Sequence, residues 1–200
     1  MFERTIGDGR AAELLTANHR WRVVDLVVVA VVGVAFGVVY WAWNQLWLIT
    51  SPLFVAFPPA QGVLYGVWML PAVLAAFIAR RRGAAMFGSL AAVIVSAFLG
   101  NVFGLTVLLY GVAQGGAAEI VFAATRYRLW LWPIAGLATA LAAVTGASLD
   151  LLLYYPLWTS EWKVAYAAVC ATSGLVLGCI TVPVIMSRLR RTGALEEMPS

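Results

Sequence analysis

The sequence predicts an all-α integral membrane protein of six transmembrane helices with both termini cytoplasmic, and three observations lead there. Only 11% of the 200 residues are charged while 63% are hydrophobic, with a mean hydropathy of +0.91. A soluble domain of this length would need far more polar covering. The uncharged runs Leu26 to Ala79, Gly83 to Ala118, Leu129 to Leu149 and Val164 to Ser187 supply the helices. At roughly 20 apolar residues per crossing, the first run holds two, the second holds two once it continues through Glu119 to Thr125, and the others hold one each. The third observation is charge asymmetry. Arg4, Arg10, Arg20, Arg22, Arg80, Arg81, Arg82, Arg126, Arg128, Arg188, Arg190 and Arg191 all fall on the side of the termini, and only Lys163 falls opposite. Basic residues at span ends stay cytoplasmic. The net charge of +4 thus reflects topology, not a nucleic-acid surface.

Three domains follow: a cytoplasmic segment 1–22, a six-helix transmembrane domain 23–188 and a cytoplasmic tail 189–200. Residues 1–22 carry charge of both signs without an apolar core, so they form no cleavable signal peptide, and Ala11 to Ala17 could lie as a short helix on the membrane surface. The first crossing spans about Val23 to Trp43. Pro52, Pro58 and Pro59 then forbid a continuous helix across Asn44 to Gly62, while Trp47, Leu53, Phe54 and Phe57 are too apolar for a solvated loop. A lid or re-entrant loop over the bundle satisfies both. The second span runs from about Val63 to Ala79 and ends at Arg80 to Arg82. The third covers about Ala84 to Gly100, and a tight outer turn, Asn101 to Gly104, leads into the fourth, which descends to Arg126 and Arg128. The fifth covers about Leu129 to Leu149, the outer segment Asp150 to Lys163 follows, and the sixth ends at Arg188. The tail from Thr192 reads as disordered. No repeat with matching interrupted helices is present, which argues against an inverted-repeat transporter. Cys170 and Cys179, nine positions apart on one helix, face opposite ways and cannot bridge.

Glu119 is the lone carboxylate in the 43 residues from Gly83 to Thr125. Charge at that depth is costly and usually functional. Gln114-Gly115-Gly116-Ala117-Ala118-Glu119 places it below paired glycines that let a ligand approach the backbone. Gln114 donates and accepts while an ionised Glu119 only accepts, a pairing that suits an amino-bearing or cationic heterocycle. A structural network, with Glu119 paired to another helix or to Arg126, is the alternative. Aromatic residues gather at the outer side: Trp41, Trp43 and Trp47; Tyr65 and Trp68; Tyr110; and Tyr154, Tyr155, Trp158, Trp162 and Tyr166. They fit an interfacial belt or a stacking surface for a flat ligand, and Tyr65, Trp68, Tyr110 and Tyr166 lie deeper in their spans than a belt needs. Asn44 and Asn101 add carboxamides near the same end. Ala30, Gly33 and Gly37 make a small-residue face on the first span, as Gly174 and Gly178 do on the sixth, for packing inside the bundle or for docking a membrane partner.

Enzyme chemistry finds no support. The single histidine, His19, lies outside the bundle, which removes a buried Ser-His pair and a histidine-held zinc. No metal site or cofactor is called for. No GxxxxGK[ST] loop is present, so the chain does not hydrolyse ATP for itself. Asp25 and Asp150 fall near span ends on opposite sides, too far apart to work as a pair, and interfacial solvation accounts for both.

Several stretches resemble one family. WRVVDLVVVAVVGVAFG from Trp21, RRGAA from Arg81, GNVFGL from Gly100 and above all QGGAAEIVFAATRYR from Gln114 are similar to the YkoE-type substrate-binding (S) components of energy-coupling factor (ECF) vitamin transporters. The resemblance covers Trp21 to about Arg191. It implies an S-component bundle that binds a vitamin near its outer face and is not itself an enzyme, with thiamine or its hydroxymethylpyrimidine precursor as ligand. It also implies a bacterial cell membrane location and three partners, a transmembrane T component and two cytoplasmic ATPases that would topple the S component to release its cargo. The matching motif positions assign Gln114 and Glu119 to the polar part of the ligand; the outer residues Tyr110, Asn101, Trp68, Tyr65, Trp43, Asn44, Trp162 and Tyr166 complete the expected ligand contacts, and by analogy the docking face is Ala30, Gly33 and Gly37. The chain departs from the family where Arg82 replaces a proline and where Ser89 and Ser96 stand in place of third-span glutamates, which leaves the exact ligand open. A small membrane scaffold, or an S component for another vitamin, is the competing function.

Overall fold

A computed structural model describes residues 21–191; the Ala11 to Ala17 segment, His19 and the tail from Thr192 lie outside them. Among the described residues the chain is all helix with no strand. The helices are α1 (Val23–Thr50), α2 (Leu70–Ala79), α3 (Ala84–Phe98), α4 (Thr106–Ala124), α5 (Trp132–Leu153) and α6 (Ser160–Arg191), with a long 3₁₀ segment, Pro58–Met69, leading into α2. Five of the resulting rods are long and apolar enough to cross a bilayer, and α3 is apolar but shorter at 15 residues. At 1.5 Å per residue α3 spans about 22 Å, short of the roughly 30 Å hydrocarbon core.

α2 is the hub. Its sequence, LPAVLAAFIA, is apolar on every side, and Leu70 through Phe77 are all buried. A helix with no polar face belongs in the middle of a bundle. The others surround it in the spatial order α1, α3, α4, α5, α6, and the 3₁₀ segment closes the ring against α6. The outward faces carry the valines and leucines of α1, α5 and α6 that a lipid environment would cover.

Small residues set the helix spacing. On α6, a side chain at Gly174 would meet the Thr139 carbonyl of α5 at 2.7 Å, and one at Gly178 would meet the Ala135 carbonyl at 2.8 Å. α5 and α6 accordingly form the most extensive pairing in the bundle.

The outer connection differs from a loop beginning at Asn44. α1 continues as helix to Thr50, so Asn44 and Trp47 are helical and buried. Only 55–57 break the helical course, because Pro52 and Pro58 sit at the starts of 3₁₀ turns, where their missing N–H groups cost nothing. Ser173 ties the 3₁₀ segment to α6: its hydroxyl donates to the Val63 carbonyl at 2.6 Å and accepts from the Gly66 N–H at 3.1 Å. Both cysteines are free thiols.

Candidate ligand-binding site

At the end of the bundle that carries Asn101 and Tyr154, a cavity of about 340 Å³ opens between α1, the 3₁₀ segment, α3, α4 and α5. That volume is at the small end of the range for small-molecule sites. One wall is an aromatic cluster. The Trp47 and Trp68 rings lie 5.1 Å apart, and Tyr65 meets Trp68 edge-on at 5.2 Å. The cluster is fixed by its polar edges: Trp68 Nε1 donates to Asn44 Oδ1 at 3.0 Å, the Tyr40 hydroxyl donates to the Trp68 carbonyl, and Gln61 Nε2 donates to the Trp47 carbonyl at 2.8 Å. These bonds tie α1 to the 3₁₀ segment, one of them buried and two partly so, and hold the ring faces in place at the cavity.

Asp150, which is 9% exposed, also lines the cavity, next to Tyr65 of the aromatic cluster. Tyr110 donates to its Oδ1 at 2.5 Å and Tyr166 to its Oδ2 at 2.7 Å, and the Tyr65 hydroxyl is also a hydrogen-bond neighbour. A carboxylate has about four acceptor positions, so even three phenols leave one for a ligand. Gln114, from α4, completes the polar floor. Its amide and the Tyr65 hydroxyl occupy the space beside Gly146, where any Cβ would strike both. Tyr155, on the connection after α5, also lines the cavity and stacks on Trp158 at 4.2 Å. Burial first, and the Asp150 charge second, push its phenol above the ordinary range and keep it neutral.

The sequence-derived site residues divide between two ends. Gln114, Tyr110, Asn101, Trp68, Tyr65 and Asn44 line the cavity. Tyr166 stands one step behind, holding Asp150. Trp43 turns away and donates to the Leu64 carbonyl at 2.9 Å, and Trp162, 37% exposed, packs edge-on with Phe57 and Trp158. Asn101 braces the α3–α4 turn, donating to Ser96 Oγ at 2.7 Å and accepting from the Phe103 N–H at 2.9 Å.

Glu119 lies at the opposite end of α4. Its carboxylate accepts from the Gly83 N–H at 2.6 Å, the Ala85 N–H at 3.0 Å and the Tyr127 hydroxyl at 2.7 Å, so it caps the start of α3 from a neighbouring helix. Gly83 adopts φ 82°, a conformation that turns its N–H toward that acceptor at little cost to glycine. Burial first, and the bond to Glu119 second, push Tyr127 up to about 12, so it remains a donor at neutral pH. Asp25 works beside it. Buried at the start of α1, it pairs with Arg81 at 2.8 Å and accepts from the Arg22 N–H at 3.1 Å. Neither carboxylate is an interfacial bystander, and neither touches the cavity.

The small face of α1 is also accounted for inside the bundle. A side chain on Gly33 would collide with Ala91 of α3, and one on Gly37 with Val95 at 2.5 Å, so both glycines serve the α1–α3 contact. Ala30 is only half-buried, and the exposed side of α1 is made of Val27, Val31, Val34 and Val38.

Residues 24–145 match the family described as the permease component of an ABC-type cobalt transport system. Over 179 residues, 89% of each chain, the protein is 30% identical to a protein of Bacillus subtilis (strain 168) named, as a proposed assignment, HMP/thiamine permease protein YkoE. A crystal structure of an S component of an ECF transporter superposes with a TM-score of 0.84 at 29% identity, covering 90% of both chains. The chain belongs to the YkoE-type S components of ECF transporters. As a member it is a multi-pass membrane protein with the S-component fold, and its cavity is located among helices that this fold arranges around α2.

Proposed function

We propose that this S component binds thiamine or its hydroxymethylpyrimidine precursor in the cavity lined by Asp150 and the Trp47–Tyr65–Trp68 wall. The observation that carries it is a buried carboxylate, aligned by phenols, that lines the same cavity of small-molecule size as the Trp47, Tyr65 and Trp68 rings. An aminopyrimidine offers flat faces to stack and amino protons to donate, and a thiazolium adds a positive charge that both aromatic faces and a carboxylate favour. Gln114, Asn44 and Asn101 would read the remaining polar edges. The donor set suits an organic heterocycle better than a cobalt ion, since the cavity brings one carboxylate, amides and phenols together with no histidine or cysteine on its wall.

Six crossings with both termini in the cytoplasm then place the cavity at the outer face of a bacterial cell membrane. α3, though short, would cross as part of the bundle. The chain binds and does not hydrolyse ATP; a transmembrane T component and two ATPases would move the loaded subunit and release the vitamin inside. A scaffold would explain Glu119, which holds structure together, but it has no use for a cavity lined by a buried carboxylate, amides and aromatic rings.

Titration of the purified protein with thiamine and with hydroxymethylpyrimidine, followed by tryptophan fluorescence, tests this directly. Saturable quenching by at least one of them is expected. Silence toward both, with saturable binding of some other vitamin, would retain the S-component role and overturn the ligand.

A further inference from the structure

The end of the bundle opposite the cavity carries a cationic rim, and the two acids beside it among the described residues are already engaged. Asp25 pairs with Arg81, and Glu119 is taken up by two backbone N–H groups and Tyr127. Among the described residues no carboxylate pairs with Arg80, Arg82 or Arg190, and all three are exposed. Two of them are held on aromatic faces. The Arg80 guanidinium lies 5.8 Å from the centroid of Trp130, and the Arg82 guanidinium lies 5.8 Å from that of Tyr127. A guanidinium drawn to a ring face by its charge can still offer N–H groups to a phosphate, which arginine binds bidentately. Arg80 is set there by a left-handed backbone, φ 51°, at the end of α2. Desolvation, and after it the like charge of Arg190, pull its guanidinium below the ordinary arginine value.

Apolar surface adjoins the rim. Leu129, Leu131 and Trp132, beside Trp130, are 47%, 57% and 60% exposed. Free phosphate would satisfy the arginines and leave that surface bare, whereas an amphiphile covers both.

We propose that Arg80 and Arg82, held over Trp130 and Tyr127, together with Arg190, bind the phosphate of an anionic phospholipid headgroup, whose acyl chains lie along Leu129, Leu131 and Trp132. The site is separate from the ligand cavity and owes nothing to the vitamin assignment.

The test uses the full chain in an uncharged maltoside detergent, with phosphatidylglycerol or phosphatidylcholine carrying brominated acyl chains as quenchers of tryptophan fluorescence. Phosphatidylglycerol should bind in clear preference. Each arginine lost should weaken that preference about fivefold. R190Q should show one such step, and R80Q/R190Q should show two, a loss of about 25-fold in preference on the same scale, leaving only the step due to Arg82. R22Q/R128Q, which removes the same charge from the same end, should keep most of the preference, and W130F should lose most of the phosphatidylglycerol-specific quenching. Equal losses in the two double variants would mean a diffuse field and overturn the site. So would abolition of the preference by inorganic phosphate, which would make it a free-anion site, or no preference in the wild type, the result expected if the arginines serve an acidic protein partner.

Discussion

Replacing Glu119 by glutamine should weaken the fold and leave the cavity untouched. In the wild type one carboxylate oxygen takes the Gly83 N–H at 2.6 Å and the Tyr127 hydroxyl at 2.7 Å, and the other takes the Ala85 N–H at 3.0 Å. Glutamine can keep a carbonyl oxygen at the first position, but its NH₂ then faces the Ala85 N–H, donor against donor. One partly buried N–H loses its acceptor, at about 1–3 kcal/mol. The negative charge at the start of α3 is lost as well, worth about 0.3–1 kcal/mol. A net cost of about 2 kcal/mol corresponds to a Tm lowered by about 4–8 °C for a chain of this size. Glu119→Ala, which removes every acceptor, should cost more. Thermal unfolding in detergent, read with a thiamine titration of the same sample, gives both quantities. An unchanged Tm together with a tenfold or greater loss of affinity would refute the capping role and return Glu119 to the binding site.

Three further outcomes follow from the geometry. Gly37→Leu, which forces a side chain into Val95, should destabilise the α1–α3 packing by about 2 kcal/mol or more; unfolding midpoints check this, and a stable variant would mean α1 is free to pack elsewhere. A double-mutant cycle of Asp25→Asn and Arg81→Gln should give a coupling of about 1–3 kcal/mol, because the pair is largely buried, 13% and 7% exposed; additive losses would make it incidental. Tyr110→Phe removes the 2.5 Å donor to Asp150 and should weaken ligand binding severalfold with little change in Tm, measured by the same fluorescence titration.

Much of the architecture was legible in hydropathy because apolar run length is a direct record of helix length. The Arg80–Arg82 break, the Asn101–Gly104 turn and the all-apolar α2 are features of composition, and the bundle follows them. Helix ends were less legible, since α1 and α5 run on past Trp43 and Leu149, and this shift decides the site. Asp150, placed at a span end by counting charges, is a full turn inside α5 and buried. A signal was present: Gly146 and Asp150 are four apart on one face, close in sequence to Tyr154 and Tyr155. Glu119 was obscured in the opposite way. Five residues on a helix turn the chain through about 140° of azimuth and advance it about 7.5 Å, so Gln114 and Glu119 could not share one ligand face. Their common motif joins two jobs, Gln114 at the cavity and Glu119 at the cap of α3. Gly33 and Gly37 show a limit of sequence, because a small-residue face looks the same whether its partner is α3 or another subunit.

The central claim is that recognition rests on Asp150, and one titration tests it most directly. Asp150→Asn keeps the shape of the side chain and its place beside Tyr110 and Tyr166 but removes the charge. A charge-assisted hydrogen bond to ligand is worth about 1.5–3 kcal/mol, so thiamine affinity should fall by about 10- to 100-fold relative to wild type. Thiamine binding within twofold of wild type in a folded Asp150→Asn protein would contradict the account.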